Sequence, residues 1–252
     1  MSFDVSADAY ARFMGRWSEP LATEFATRTD VVAGERALDV GCGPGALTAR
    51  LVERLGTEGV AAVDPSAPFV EAVRSRFPGL DVHHGVAELL PFPDEAFDVT
   101  LAQLVVHFMT DPVAGLAEMA RVTRSGGRVA ACVWDHAGGG GPLAVFWRAV
   151  RDIDPQAPDE SGLAGAREGH LAELCAAAGL QHVESTTLSV TVHFPTFADW
   201  WEPFTFGVGP AGAHVAQLDE DGAADVRERC AALLPPAPFD VTASAWCTVA
   251  RA

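Results

Sequence analysis

The amino-acid sequence predicts an α/β protein with a mostly parallel, doubly wound sheet. Three observations carry that expectation. Between Arg36 and Trp134 short apolar runs alternate with amphipathic helical segments, the arrangement that builds parallel strands joined by right-handed crossovers. The run Leu38-Asp39-Val40-Gly41-Cys42-Gly43-Pro44-Gly45-Ala46-Leu47 passes from strand through a glycine turn into helix. Near the end of the chain, two segments of alternating character, 182–194 and 239–250, enclose a helical insertion.

Taken in order, residues 4–34 read as helix and loop, with Tyr10, Phe13, Met14 and Trp17 on one stripe. This segment, 1–34, is expected to form a helical lid over the carboxyl end of the first strand, with the main domain at 35–252. A strand at 36–40 leads to a helix at 46–55 that stops at Gly56, and a strand follows at 59–64. Ser66 then caps a helix with Phe69, Val73 and Phe77 on one face. A strand at 81–84, a turn at Pro93-Asp94-Glu95 and a strand at 97–102 come next. Asp111-Pro112, a favoured N-cap and N1 pair, opens a helix that ends before Ser125-Gly126-Gly127. A strand at 128–134 precedes the loop 135–142, whose four successive glycines predict mobility. Helices at 143–152 and 167–178 follow, the second with Gly179 as its C′ residue. The insertion, about 196–236, holds an aromatic stretch from Thr196 to Phe206 and a charged helix at 219–234.

With 252 residues the chain can bury a sizeable core without metal or disulfide. The five cysteines are scattered and contain no C-x-x-C pair, and the eight histidines show no H-x-x-x-H spacing. Neither a metal site nor an oxidised scaffold is expected. A formal net charge of −17 argues against nucleic acid, which rewards basic stripes. No membrane span or leader peptide is legible, so a reduced, cytoplasmic setting is expected. All 17 basic residues are arginine, asparagine is missing, and Ile153 is the only isoleucine. The absent residues share A/T-rich codons, which points to a GC-rich bacterial genome. Without lysine there is no amine base or Schiff-base former.

Glycine permits backbone angles that other residues avoid, and with no Cβ a ligand can lie against the main chain. The unpaired amides of the following helix then favour an anionic group. Asp64 ends the second strand about 20 residues beyond the turn, the offset at which a carboxylate reaches a ribose diol. Together they favour a nucleoside-containing ligand over a plain tight turn and a helix cap. Gly41-x-Gly43-x-x-Ala46 also admits a dinucleotide fingerprint, so an NAD(P)-dependent oxidoreductase and a non-catalytic cofactor-binding module stand as alternatives.

Five motifs, in order and spacing, are Ala37-Leu38-Asp39-Val40-Gly41-Cys42-Gly43-Pro44-Gly45, Ala62-Val63-Asp64-Pro65-Ser66, Gly85-Val86-Ala87-Glu88-Leu89-Leu90-Pro91-Phe92, Phe97-Asp98-Val99 and Arg121-Val122-Thr123-Arg124-Ser125-Gly126-Gly127-Arg128. On these motifs the sequence resembles the class I S-adenosylmethionine-dependent methyltransferases, and its leader and Trp200-Trp201-Glu202-Pro203 are similar to a bacterial small-molecule branch related to quinone C-methyltransferases. The resemblance implies a Rossmann-like seven-stranded sheet with an antiparallel last strand, S-adenosylmethionine as cofactor, and methyl transfer to an O, N or C atom of a small molecule.

Roles carry over by position. Asp39 would orient the glycine loop or a ligand-bound water, and Gly41, Gly43 and Gly45 would pack against the methionine part of the cofactor. Asp64 would accept from both ribose hydroxyls, and Pro65 would cover one adenine face. Ala87 would present its amide to adenine with Glu88 beside it, and Gln103 and Leu104 would line the other side. Val86 stands where the family commonly has Asp, so the usual carboxylate contact to the adenine amino group is expected to be missing, with backbone contacts or Glu88 to compensate. Tyr10 and Trp17 would close over the cofactor and Arg16 would pair with its carboxylate or with the substrate, the plainer reading being an amphipathic helix whose aromatics are core and whose arginine is solvated. His107, after the fourth strand, is the candidate base, the equally weighted alternative being a helix-terminal or packing histidine. Some of Trp200, Trp201, Phe204 and Phe206 are expected to floor an acceptor pocket.

Overall fold

A computed structural model describes residues 11–252; Tyr10 and the first part of the expected lid lie outside the described residues. The strands are β1 (Ala37–Val40), β2 (Val60–Asp64), β3 (Asp81–His84), β4 (Phe97–Gln103), β5 (Thr123–Trp134), β6 (Gln181–Phe194) and β7 (Phe239–Arg251). They form one sheet in the order β3-β2-β1-β4-β5-β7-β6. Pairing is parallel from β3 through β5, and β7 runs antiparallel to both β5 and β6. Strands β1 and β2 are buried at every position, which explains their unbroken apolar runs: helices cover both faces of a parallel sheet.

The helices are α1 (Arg16–Arg28), α2 (Ala46–Leu55), α3 (Ala67–Arg76), α4 (Pro112–Val122), α5 (Ala144–Ile153), α6 (His170–Ala177), α7 (Phe197–Trp201), α8 (Gly209–Gln217) and α9 (Glu220–Leu233). Leu21 and Phe25 of α1, Leu47 and Leu51 of α2, Phe146 of α5 and Val226 of α9 belong to one buried cluster. Leu116 and Met119 of α4 and Leu171 of α6 fill the other. The two clusters occupy opposite faces of the sheet. Because β1 pairs with β2 on one side and β4 on the other, the strand order reverses between β1 and β4. Ligands of open α/β sheets bind at the carboxyl ends of strands at such a reversal.

Three expectations change. The helix expected as part of a lid is a core element: Trp17, Leu21, Ala22, Phe25 and Ala26 are buried among the sheet-facing residues. Its aromatic and aliphatic stripe is satisfied by the sheet, so residues 16–28 do not separate from the main domain at residue 34. Next, β5 begins at Thr123 rather than 128, pairing Phe97 with Thr123 before an irregularity after which Val99 pairs with Arg128. Gly127 sits in that irregularity, where a Cβ would come within 2.8 Å of the carbonyls of Arg124 and Asp98.

The glycine loop is the third correction, since it wraps around a carboxylate. Asp135 Oδ1 accepts from the Gly138 amide at 2.8 Å and from Trp246 Nε1 at 3.2 Å. Gly141 N donates to Asp135 O and Ser244 N to Gly140 O. A Cβ at Gly138 or Gly140 would lie 2.6 Å from the Asp135 carboxylate oxygens. Gly138→Ala is therefore expected to destabilise the protein by about 1–3 kcal/mol, as overpacking does, read as a lower thermal midpoint. An unchanged midpoint would show that the loop is not held by Asp135.

Candidate cofactor and acceptor site

The glycine turn folds back over the end of β2. Gly41 N and Cys42 N both donate to Val63 O, at 2.7 and 3.1 Å. Asp64 closes the arrangement: its Oδ2 accepts from Gly43 N at 2.8 Å and its Oδ1 from Ser66 N at 2.7 Å. Burial raises the Asp64 carboxyl above the usual carboxylate range, and the two amide donors oppose that shift.

All three turn glycines have positive φ, +69° at Gly41, +53° at Gly43 and +92° at Gly45. Their surroundings differ, and this departs from the expectation that all three lie against a ligand. A Cβ at Gly41 would fall 2.4 Å from Val105 Cγ2, and one at Gly45 would meet Phe77 and Val73 at 3.2 and 3.3 Å. Only Gly43 of the three faces open space. The glycine pattern thus mixes two causes, protein packing at Gly41 and Gly45 and an open cradle at Gly43.

Asp39 is buried on β1. Thr48 Oγ1, one turn into α2, donates to its Oδ2 at 2.6 Å, while Oδ1 has no partner. Desolvation pushes its carboxyl up to about 7 against the hydrogen bonds from Thr48. Raised in the folded state, this group contributes stability that is present below about pH 4 and lost as pH rises through about 7. Ligand-free Asp39→Asn should gain thermal stability relative to the parent across that window, by at most about 1.4 kcal/mol per pH unit. A constant offset at every pH would contradict the assignment.

Gln103 and Leu104 end β4 on the other side of the reversal. Gln103 Nε2 donates to Ser18 O at 3.0 Å, and its buried Oε1 is unpartnered. Leu104 adopts φ +62°, a conformation rare for a side chain of this size, and its amide donates to Cys132 O at 2.8 Å. Strain of this kind concentrates at functional sites.

On the adenine side of the expected site, Pro65 O accepts from His84 Nε2 at 2.8 Å. Ala87 is buried beside Gly115. Glu88 is committed elsewhere: its Oε1 accepts from Thr110 N at 2.7 Å and Asp111 N at 3.2 Å, anchoring this loop to the start of α4. Val86 and Leu89 are 45% and 75% exposed, so the surface here is apolar.

Arg16 and Trp17 are engaged within the protein. Arg16 Nη1 donates to Asp199 O at 3.0 Å, and its guanidinium lies 5.1 Å from the centre of the Phe194 ring. Trp17 packs 5.9 Å from the same ring. Both fasten α1 to β6 and the insertion. Trp200, Trp201 and Phe204 are likewise core residues, with Phe204 stacked on Phe146 at 4.7 Å.

A cavity of about 40 Å³ opens beyond Leu104. Its walls are Phe13, Met14, Leu104, Phe108, Leu143, Val208 and Pro210, with His107, Trp134, His136 and Glu160 as polar members. The insertion contributes Val208 to Pro210, not its tryptophans. His107 lies in a single 3-10 turn, Val106–Phe108, with its ring centre 5.9 Å from that of His136. Burial lowers His107 to about 3 and His136 to about 4. Glu160, raised to about 7 by burial, accepts from Trp147 Nε1 at 2.7 Å. Trp134, His136 and Glu160 were not singled out from the sequence, since no short-range spacing links them to His107. Among the described residues no group of His, Cys, Asp and Glu is placed to hold a metal ion, and no helix is long and apolar enough to cross a membrane.

A parallel sheet reversing between β1 and β4, with a glycine turn and a strand-end carboxylate at the reversal, is an arrangement that suits a nucleoside-containing ligand. Residues 38–131 match the family model described as a methyltransferase domain. An uncharacterized methyltransferase of Mycobacterium tuberculosis is 38% identical over 135 residues, covering 54% of this chain and 52% of that protein. The aklanonic acid methyltransferase of a Streptomyces species is 30% identical over 135 residues, covering 51% of this chain and 61% of that protein. The chain thus spans about half the length of the first of these relatives. A putative methyltransferase from Bacillus halodurans has the same fold, with a TM-score of 0.60 at 15% identity over 91% of this chain and 97% of that one. Residues 38–131 are thus similar to a methyltransferase domain, on a fold shared with that solved structure. The cofactor that the sequence motifs imply is S-adenosylmethionine. The site suits that molecule: an unpartnered buried carboxylate oxygen on Asp39, the open face at Gly43 and the Asp64 carboxylate stand together at the carboxyl ends of β1 and β2.

Proposed function

We propose that this protein methylates a small molecule held in the cavity between Leu104, His107 and Val208. The observation that carries the reading is the position of that cavity, which begins at Leu104, where the expected cofactor cleft ends. S-Adenosylmethionine, when bound, supplies a methyl group already activated on a sulfonium.

The residues then have mainly binding and alignment to perform. Asp64 accepts from the ribose diol, Gly43 lets the main chain approach the methionine portion, and Asp39 offers its free Oδ1 to that portion or to a water on it. Pro65 and the buried Ala87 bound the adenine, with Val86 and Leu89 replacing a polar contact by apolar surface. Glu88 acts indirectly, by holding the loop against α4. Phe13, Met14 and Phe108 exclude water from the cavity. His107, discharged by burial, orients an acceptor hydroxyl by accepting its hydrogen bond, in place of the free base expected from its position in the sequence.

Calorimetric titration tests the reading. S-Adenosylhomocysteine should bind with a stoichiometry of about one, and NAD and NADP should not; a screen of small-molecule acceptors should then release S-adenosylhomocysteine from S-adenosylmethionine. Binding of a nicotinamide dinucleotide in preference would favour an oxidoreductase, and cofactor binding without turnover on any acceptor would favour a binding module.

A further inference from the structure

The lining of the cavity restricts the chemistry of its occupant, and the inference here rests on its being the acceptor pocket. His107 Nδ1, Trp134 Nε1 and His136 Nε2 are all buried without a hydrogen-bond partner, and all three residues line this one cavity. Leaving buried polar groups unpaired is costly, and native proteins hold few of them. Three around one apolar space point to a ligand that pairs with them.

Charge narrows the ligand further. Among the described residues no arginine lines the cavity, and the chain contains no lysine. Both imidazoles are held uncharged by burial. Glu160, the carboxyl group among the lining residues, already accepts from Trp147 Nε1. An anionic acceptor would therefore meet no countercharge and would face Glu160. A protonated amine would stand beside the positive sulfonium.

We propose that the cavity selects an uncharged, apolar-bodied acceptor carrying two oxygen groups, one accepting from Trp134 Nε1 and one hydroxyl donating to His107 or His136. A phenol or enol bearing a second hydroxyl or a carbonyl meets these terms. The indole N–H, as a donor only, requires an acceptor oxygen. The neutral imidazoles supply the complementary acceptor.

The test is calorimetry on the full chain saturated with S-adenosylhomocysteine, using 1,3-dihydroxynaphthalene, 1-naphthoate and 1-naphthylmethylammonium as matched probes. The dihydroxy compound should bind at least about tenfold more tightly than either charged probe. Trp134→Phe and His136→Gln should each weaken it by about three- to tenfold, the range for one neutral hydrogen bond, while leaving S-adenosylhomocysteine affinity within about twofold. If Trp134→Phe also loses cofactor binding, His136→Gln alone decides. Equal or tighter binding of a charged probe, no binding of the dihydroxy compound, or unchanged affinity in the deciding variants would overturn the proposal. Failure of the parent protein to bind S-adenosylhomocysteine would instead overturn the methyltransferase reading.

Discussion

Replacing Asp64 by alanine is expected to weaken S-adenosylhomocysteine binding by about 3 kcal/mol, roughly two orders of magnitude in Kd. The carboxylate would accept from both ribose hydroxyls, and hydrogen bonds to an ionised group are the stronger kind. A second contribution comes from the protein itself. Asp64 holds the Gly43 and Ser66 amides at 2.8 and 2.7 Å, so its loss also loosens the turn that meets the ligand. Asp64→Asn keeps an acceptor oxygen for one of those amides and should lose less. Calorimetric titration of both variants, with thermal midpoints to confirm folding, separates the two contributions. Unchanged affinity in Asp64→Ala would show that the ribose assignment is wrong.

The second large effect comes from a pair of substitutions two residues apart that should fail in different ways. At Gly41 an added methyl group collides with Val105 at 2.4 Å in a backbone conformation with φ +69°. Overpacking and the left-handed backbone together should cost about 2–4 kcal/mol, lowering Tm by roughly 5–15 °C. At Gly43, where φ is +53° and, among the described residues beyond its chain neighbours, no atom lies within 4 Å of an added Cβ, Gly43→Ala should cost only about 1 kcal/mol of stability. Its methyl group would instead project into the space a ligand needs, and S-adenosylhomocysteine affinity should fall at least about tenfold. Thermal melts and titrations of the two variants decide the matter. Equal loss of stability in both, with affinity retained by Gly43→Ala, would mean that Gly43 does not face the cofactor.

The contrast also shows how far the turn could be read in advance. Three glycines alternating in Gly41 to Gly45 announce a tight strand-to-helix connection, because only backbone freedom explains them. Whether each is vacant for a ligand or filled by a neighbour depends on Val105 and on Val73 with Phe77, residues 64, 28 and 32 positions away in sequence. The same limit applies to Glu88: its place beside Ala87 suggested an adenine contact, and the fold spends its carboxylate on Thr110 and Asp111. Arg16 and Trp17 admitted two readings in the sequence for a related reason. An amphipathic helix with an arginine looks alike whether its stripe faces a ligand or the core, and here Phe194 and Asp199 complete it. The four-glycine run predicted mobility because glycine is flexible in isolation, yet at Gly138 and Gly140 a Cβ would meet the Asp135 carboxylate at 2.6 Å.

From sequence alone come the alternation of strands and helices, the positions of β1 to β4 within a residue or so and the switch-point carboxylate, while the methyl donor is what the family resemblance implies. These are local signals, set by hydrophobic period, turn chemistry and short spacings that survive in any context. Tertiary structure alone brings His107, Trp134, His136 and Glu160 around one cavity, since β4, β5 and the segment after α5 become neighbours only when the sheet closes. Burial there discharges the imidazoles and leaves their nitrogens unpaired, so the chemistry of the acceptor pocket is a property of packing and desolvation, which no spacing in the chain encodes.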